Sequence, residues 1–244
     1  MKRALLHGFL GDSSVWAGII EGDAIALPGH RGGEKVRSTW AENLDAVAAA
    51  VRGCDLAIGY SLGARVALGL LALGAVPRVI AISVNPGIRD ARDVSFADDV
   101  AHARFDEPSG APSERVARRA RDAAWAKRFR TEPLADVLDA WEAQPLFATQ
   151  ERVDPDRLAV RRARRLALDP QQIARSLDAM GLAEMPDYHG VVADRCTLIA
   201  GADDTKYVAI AGGLPAAVHV IDHCGHDPLL EQPSALAKVL ASIA

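Results

Sequence analysis

Three observations predict an α/β fold with a mostly parallel central sheet, flanked by helices and interrupted by a helical insertion. Short apolar runs alternate with helix-patterned segments through residues 1–87 and again through 187–244. Such alternation places the strands in a parallel sheet covered on both faces. A Gly-x-Ser-x-Gly turn, Gly59-Tyr60-Ser61-Leu62-Gly63, joins one apolar run to a helix-patterned one. Between 88 and 186 strand signals vanish, and the segment reads as a helical lid inserted after the strand that follows the serine-bearing helix. The chain has 244 residues with 50% hydrophobic content, enough for one sizeable core.

The elements follow in order. Ala4-Leu5-Leu6 is a short buried strand stopped at His7-Gly8, and Ala24 to Leu27 is another, stopped at Pro28-Gly29. From Trp40 to Val51, the apolar residues Leu44, Val47, Ala48 and Val51 recur at helical spacing, with Gly53 as the stop. Asp55-Leu56-Ala57-Ile58 is the strand before the serine, and Ala64 to Leu71 is the helix after it. Val79 to Val84 is the next strand, closed by Asn85-Pro86-Gly87. Residues 93–113 read as loop, and helices are expected over 114–130, 133–142, 154–168 and 170–182. The strand pattern resumes at Cys196 to Gly201 and Val218 to Ile221, and a helix runs from Pro233 to Ile243.

The glycine-serine turn reads as a nucleophile elbow, and with it the chain resembles the α/β-hydrolase fold. Glycine at 59 and 63 lets strand and helix approach closely, and the helix N-terminus favours negative charge developing at the serine. A phosphate-binding turn of a nucleotide-binding sheet requires a different glycine pattern. A catalytic serine needs a proton acceptor, and the acceptor needs an orienting carboxylate. Asp203 and Asp204 follow the strand that ends at Gly201, and His226 follows the one that ends at Ile221. These positions put Ser61, Asp204 and His226 at one sheet edge in the chain order Ser, Asp, His. Asp203 is the alternative carboxylate, since one of two adjacent acids often caps the next helix. The loop His7-Gly8-Phe9-Leu10-Gly11 fits an oxyanion donor, with the Phe9 and Leu62 N–H groups as the pair. His223-Cys224-Gly225-His226-Asp227 also resembles a metal cluster, but structural zinc sites need paired ligand sets, and no second pair occurs elsewhere.

The net charge is −4, which argues against general nucleic-acid binding. Three widely spaced cysteines, Cys54, Cys196 and Cys224, fit a reducing compartment better than a disulfide scaffold. His7 interrupts the first apolar run, so no signal peptide is expected there. No run approaches the roughly 18 apolar residues of a membrane span, and a cytoplasmic protein is expected. The lid is locally basic: Arg115, Arg118, Arg119, Arg121, Lys127, Arg128 and Arg130 stand against Asp122, and Arg161, Arg162, Arg164 and Arg165 form a second cluster. Together with Arg65, four residues after the serine, these point to a small-molecule polycarboxylate partner. Trp125, Phe129 and Trp141 are spaced as helix faces, by default lid core, with one of them facing the pocket.

The residues closely resemble the family of 2-succinyl-6-hydroxy-2,4-cyclohexadiene-1-carboxylate (SHCHC) synthases of menaquinone biosynthesis. The similarity spans nearly the whole chain: Leu6 to Asp12, Leu27-Pro28-Gly29-His30, the elbow with Arg65, and Gly201 through Asp204 to Lys206. Its most specific part is the lid, in Trp125-Ala126-Lys127-Arg128-Phe129, Thr131 to Leu134, Trp141 to Phe147, and Ser176-Leu177 to Met180-Gly181. The resemblance implies a lyase without a cofactor that eliminates pyruvate from an enolpyruvyl cyclohexene carboxylate. Ser61 is then the proton-abstracting group, with His226 and Asp204 behind it, and the Phe9 and Leu62 N–H groups hold the oxyanion. Tyr60, Arg65, Arg118, Trp141 and one of Arg162 or Arg165 are implied to bind the substrate. The chain departs from the family pattern at Ala26, Ala64 and Leu229, and residues 93–112 look like an extra lid segment. A hydrolase of an ester or C–C bond is the alternative on the same scaffold. A binding protein would have no need of the full Ser, Asp, His set.

Overall fold

The computed structural model describes residues 1–89 and 113–244. The chain runs through β1 (Arg3–Leu6), β2 (Asp23–Ile25), α1 (Trp40–Ala50), β3 (Leu56–Tyr60), α2 (Leu62–Ala72) and β4 (Val79–Ile82). Four helices follow, α3 (Glu114–Thr131), α4 (Leu134–Glu142), α5 (Pro155–Leu166) and α6 (Pro170–Met180). The α/β pattern then resumes with β5 (Cys196–Gly201), α7 (Thr205–Gly212), β6 (Ala217–Ile221), α8 (Pro228–Glu231) and α9 (Pro233–Ile243). The loop expected over 93–113 and the extra segment read at 93–112 fall almost wholly outside the described residues.

The six strands form one parallel sheet in the order β2-β1-β3-β4-β5-β6. The chain starts at β1, steps outward to β2, and returns to the other side of β1 with β3. The direction of winding therefore reverses between β1 and β3, and open α/β sheets bind ligands at the carboxyl ends of strands flanking such a reversal. The loop after β1 carries Phe9, and the turn after β3 carries Ser61.

Burial follows the strand pattern. All residues of β3 and β4 are buried, as continuous apolar strands with helices on both faces must be. One apolar cluster lies on the α1–α2 side of the sheet, around Leu44, Val66, Leu70 and Met185, and another on the α9 side, around Trp16, Ile58, Leu236 and Leu240. A third belongs to the inserted helices. Phe129, Val137, Leu138, Ile173 and Leu177 pack together there, with Leu10 of the loop after β1 reaching up into them. The lid helices thus rest on the same loop that borders the serine.

Several boundaries differ from the sequence expectation. β2 ends at Ile25 rather than Leu27, and β4 ends at Ile82 because Ser83 turns into the left-handed region at φ 51°. Short 3-10 turns at Ser13–Trp16, Pro145–Arg152 and His189–Val191 have no periodic signal of their own. Cys54, Cys196 and Cys224 are each buried and unpaired, and no helix among the described residues is long and apolar enough to cross a membrane.

Candidate active site

Ser61 sits at the tip of the turn between β3 and α2 with φ 50° and ψ −107°, a conformation that a non-glycine residue adopts only under constraint. The constraint is the crossing of two backbones. A Cβ on Gly63 would stand 2.2 Å from the Leu6 carbonyl oxygen, and one on Gly59 would stand 2.3 Å from the Gly63 oxygen. The glycines are required for this approach, not for a positive φ, which falls on the serine itself. Backbone cannot yield as a flexible side chain does, so Gly63→Ala is expected to cost about 3 kcal/mol or more, read by denaturant unfolding.

Three elements converge on the serine. Its Oγ lies 3.3 Å from His226 Nε2, and His226 Nδ1 lies 2.7 Å from Asp204 Oδ2. With the carboxylate accepting from Nδ1–H, Nε2 is left as the acceptor for the serine proton. The His226 and Asp204 side chains are 2% and 5% exposed, so water does not compete for their contact. Asp204 also caps α7, its Oδ1 facing the Tyr207 N–H at 3.5 Å. Asp203 instead pairs with Arg152 at 2.6 Å, so of the two adjacent acids it is Asp204 that meets the histidine. The histidine loop is seated by close approach too: a Cβ on Gly201 would meet the Cys224 and Gly225 carbonyl oxygens at 2.3 and 2.2 Å. Glu231 fastens that loop by accepting from the Gly225 and Asp227 N–H groups.

The Phe9 and Leu62 N–H groups find no backbone acceptor among the described residues outside regular ladders. Their loop is held by two buried histidines. His7 Nδ1 donates to the Gly8 carbonyl while Nε2 accepts from the Leu27 N–H, and His30 Nδ1 donates to the Pro28 carbonyl while Nε2 accepts from the Leu10 N–H. Each ring is therefore neutral, with one donor and one acceptor nitrogen. Burial pushes His7 down to about 4 and His30 down to about 3 from an ordinary 6.5.

The serine hydroxyl opens not into bulk solvent but into a chamber of about 530 Å³ between sheet edge and lid helices. Tyr60, Arg65, Arg118, Trp141 and Arg165 all line it. Arg162 does not. It is held between α4 and α5 by Asp139 (2.6 Å) and Glu142 (3.4 Å), so of the two arginines the chamber receives Arg165. Arg118 is engaged through Nε with Asp122, at 2.9 Å to each oxygen. Arg65 pairs with no carboxylate among the described residues and donates to the Met180 carbonyl. Burial, with Arg118 nearby, lowers its guanidinium to about 10. Trp141 contacts Phe9 and Trp125, with ring centroids 5.0 and 4.9 Å apart, while Phe129 is lid core. Three buried hydroxyls on the chamber wall, Ser83, Thr149 and Ser176, have no protein partner among the described residues. A basic wall with unsatisfied donors suits an anion rich in oxygen.

The model of the alpha/beta hydrolase family matches residues 4–239. The 2-succinyl-6-hydroxy-2,4-cyclohexadiene-1-carboxylate synthase of Klebsiella pneumoniae (strain 342) is 31% identical, over 98% of this chain and 91% of its own length. The chain belongs to the SHCHC synthase family. MenH from S. aureus superimposes with TM-score 0.82 at 23% identity, covering 99% of this chain and 92% of that one. A thermophilic esterase from Thermogutta terrifontis has TM-score 0.72 at 17% identity, with coverage of 99% and 88%. Both likenesses speak for the fold.

Within this SHCHC synthase relative, one chamber residue carries no motif signal. Tyr207 lies 4.6 Å from the His226 ring, centroid to centroid, and its hydroxyl feels Arg65 and Arg118. An aromatic residue three positions after the acid, one helical turn along, was the only available cue.

Proposed function

We infer that the chain is an SHCHC synthase-type lyase. It eliminates pyruvate from 2-succinyl-5-enolpyruvyl-6-hydroxy-3-cyclohexene-1-carboxylate in menaquinone biosynthesis. The observation that carries this reading is the family relationship joined to a serine that faces a basic chamber. Ser61 Oγ removes the ring proton as His226 Nε2 takes the serine proton, and Asp204 stabilises the resulting imidazolium. The electron pair left on the ring forms a new double bond, and the C–O bond to the enolpyruvyl group breaks. The departing enolate takes a proton and becomes pyruvate, which restores the neutral imidazole. The Phe9 and Leu62 N–H groups hold the oxygen on which charge develops. Arg65, Arg118 and Arg165 hold carboxylates, and Tyr60 and Trp141 shape the apolar walls. These steps use protein groups alone. Helices α3–α6, within residues 88–186, act as the lid over the 1–87 and 187–244 core. Buried unpaired cysteines support a cytoplasmic setting.

The reading is tested by incubating the protein with the enolpyruvyl substrate and following pyruvate, beside a nitrophenyl ester. Pyruvate release is expected; ester turnover without pyruvate overturns it. Tyr207 supplies a finer test. Tyr207→Ala removes the ring against His226 and is expected to lower kcat about tenfold or more. Tyr207→Phe keeps the ring and is expected to act mainly on KM, as steady-state kinetics will show.

A further inference from the structure

A second cavity, of about 780 Å³, lies beside the Ser61 chamber. Val15 and Ile19 line it from the segment after β1, Leu229 and Leu230 from α8, and α5 forms the opposite wall. Phe9, Tyr60 and Arg165 line both spaces, so the two meet at the oxyanion loop and the elbow.

The wall from α5 is cationic. Arg157, Arg161, Arg164 and Arg165 fall on one helical face around Val160. Among the described residues no carboxylate pairs with Arg157, Arg161 or Arg164, whereas Arg162 on the other face is held by Asp139 and Glu142. Arg161 gives one amino group to Gln150 at 2.6 Å, and its buried Nε has no protein partner. Arg165 is 7% exposed; it gives Nη1 to Glu142 at 2.7 Å, and its Nε is likewise buried and unpartnered. Buried guanidinium donors without acceptors are costly, and a carboxylate supplies what they lack. The cavity also has acids, Asp12, Asp156 and Asp227. Asp12 accepts from the Ser14 N–H and feels Arg164, and Asp227 accepts from the Leu230 N–H and feels Arg161 and Arg165, but among the described residues neither forms an ion pair with these arginines.

We propose that this cavity binds the small 2-oxo acid released by the reaction, with Arg161 and Arg164 as its carboxylate ligands and Arg165 at the junction with the Ser61 chamber. The proposal rests on the lyase reading, in which elimination separates a small anion from a bulky one. The small anion leaves past Phe9 and Tyr60 into the cationic cavity, and the ring product stays among the groups of the Ser61 chamber.

The test needs no turnover. Carbon-13 pyruvate is titrated into the full chain carrying Ser61→Ala and followed by NMR line width. Saturable binding is expected, weakened about tenfold or more by Arg161→Gln with Arg164→Gln, and less than about twofold by Arg65→Gln. Val160→Trp fills the cavity without removing charge and is expected to weaken binding as well, which covers the case of a double variant that fails to fold. Absence of saturable binding at millimolar pyruvate overturns the proposal. So does loss on Arg65→Gln while the α5 variants bind like their parent. Missing pyruvate release from the enolpyruvyl substrate strikes the lyase reading instead, and the titration reports on the cavity regardless.

Discussion

Ser61→Ala is expected to abolish pyruvate release, by about three orders of magnitude or more, with stability unchanged within about 1 kcal/mol. The chemical effect is large because, among the described residues, the hydroxyl is the one hydrogen-bond partner of His226 Nε2, at 3.3 Å. The stability effect is small because alanine bears a similar left-handed strain at φ 50° and loses one half-buried hydroxyl. His226→Gln is expected to match it, and the double variant to be no worse than either single one, since residues acting as a unit do not add. Steady-state rates on the enolpyruvyl substrate check this. A Ser61→Ala protein that keeps a tenth of the activity would remove the serine from the reaction.

Stability is expected to fall as pH drops from 6.5 to about 4, because His7 and His30 fold as neutral rings. Their folded values, about 4 and about 3, lie below the unfolded 6.5, so the unfolded chain binds more protons throughout this window. The stabilisation is complete above 6.5 and is lost progressively toward the folded values. The His7 shift alone corresponds to about 3 kcal/mol. Asp227 works in the opposite sense, since burial raises its carboxyl and protonation then favours the folded chain. Denaturant unfolding between pH 7 and 4.5 measures the slope. A flat profile would mean that neither ring is held neutral. The site feels the same window, for the two rings fix the loop that bears the Phe9 N–H.

Much of this could be read from the sequence, for reasons visible in particular residues. The elbow was readable because Gly63 crosses the Leu6 carbonyl at a distance no side chain permits, so geometry leaves a mark on the chain. The strands β3 and β4 were readable because burial on both faces demands unbroken apolar runs. Spacing alone left Asp203 open beside Asp204, and only the family resemblance favoured Asp204, because the choice turns on which carboxyl faces His226 across two loops. Arg162 against Arg165 turned on helix rotation: three residues along α5, one arginine meets Asp139 and the other the chamber. The two loop histidines and Tyr207 left no spacing signal, because their partners are backbone groups and a ring about twenty residues away in sequence, on another loop.

Elimination begun by Ser61 and hydrolysis differ in the mass of the ring product formed from the enolpyruvyl substrate, and elimination is the expected course. Elimination leaves a cyclohexadiene with no oxygen at the carbon that carried the ether, together with one equivalent of pyruvate. A ring product heavier by one water, retaining a hydroxyl at that carbon, would contradict it.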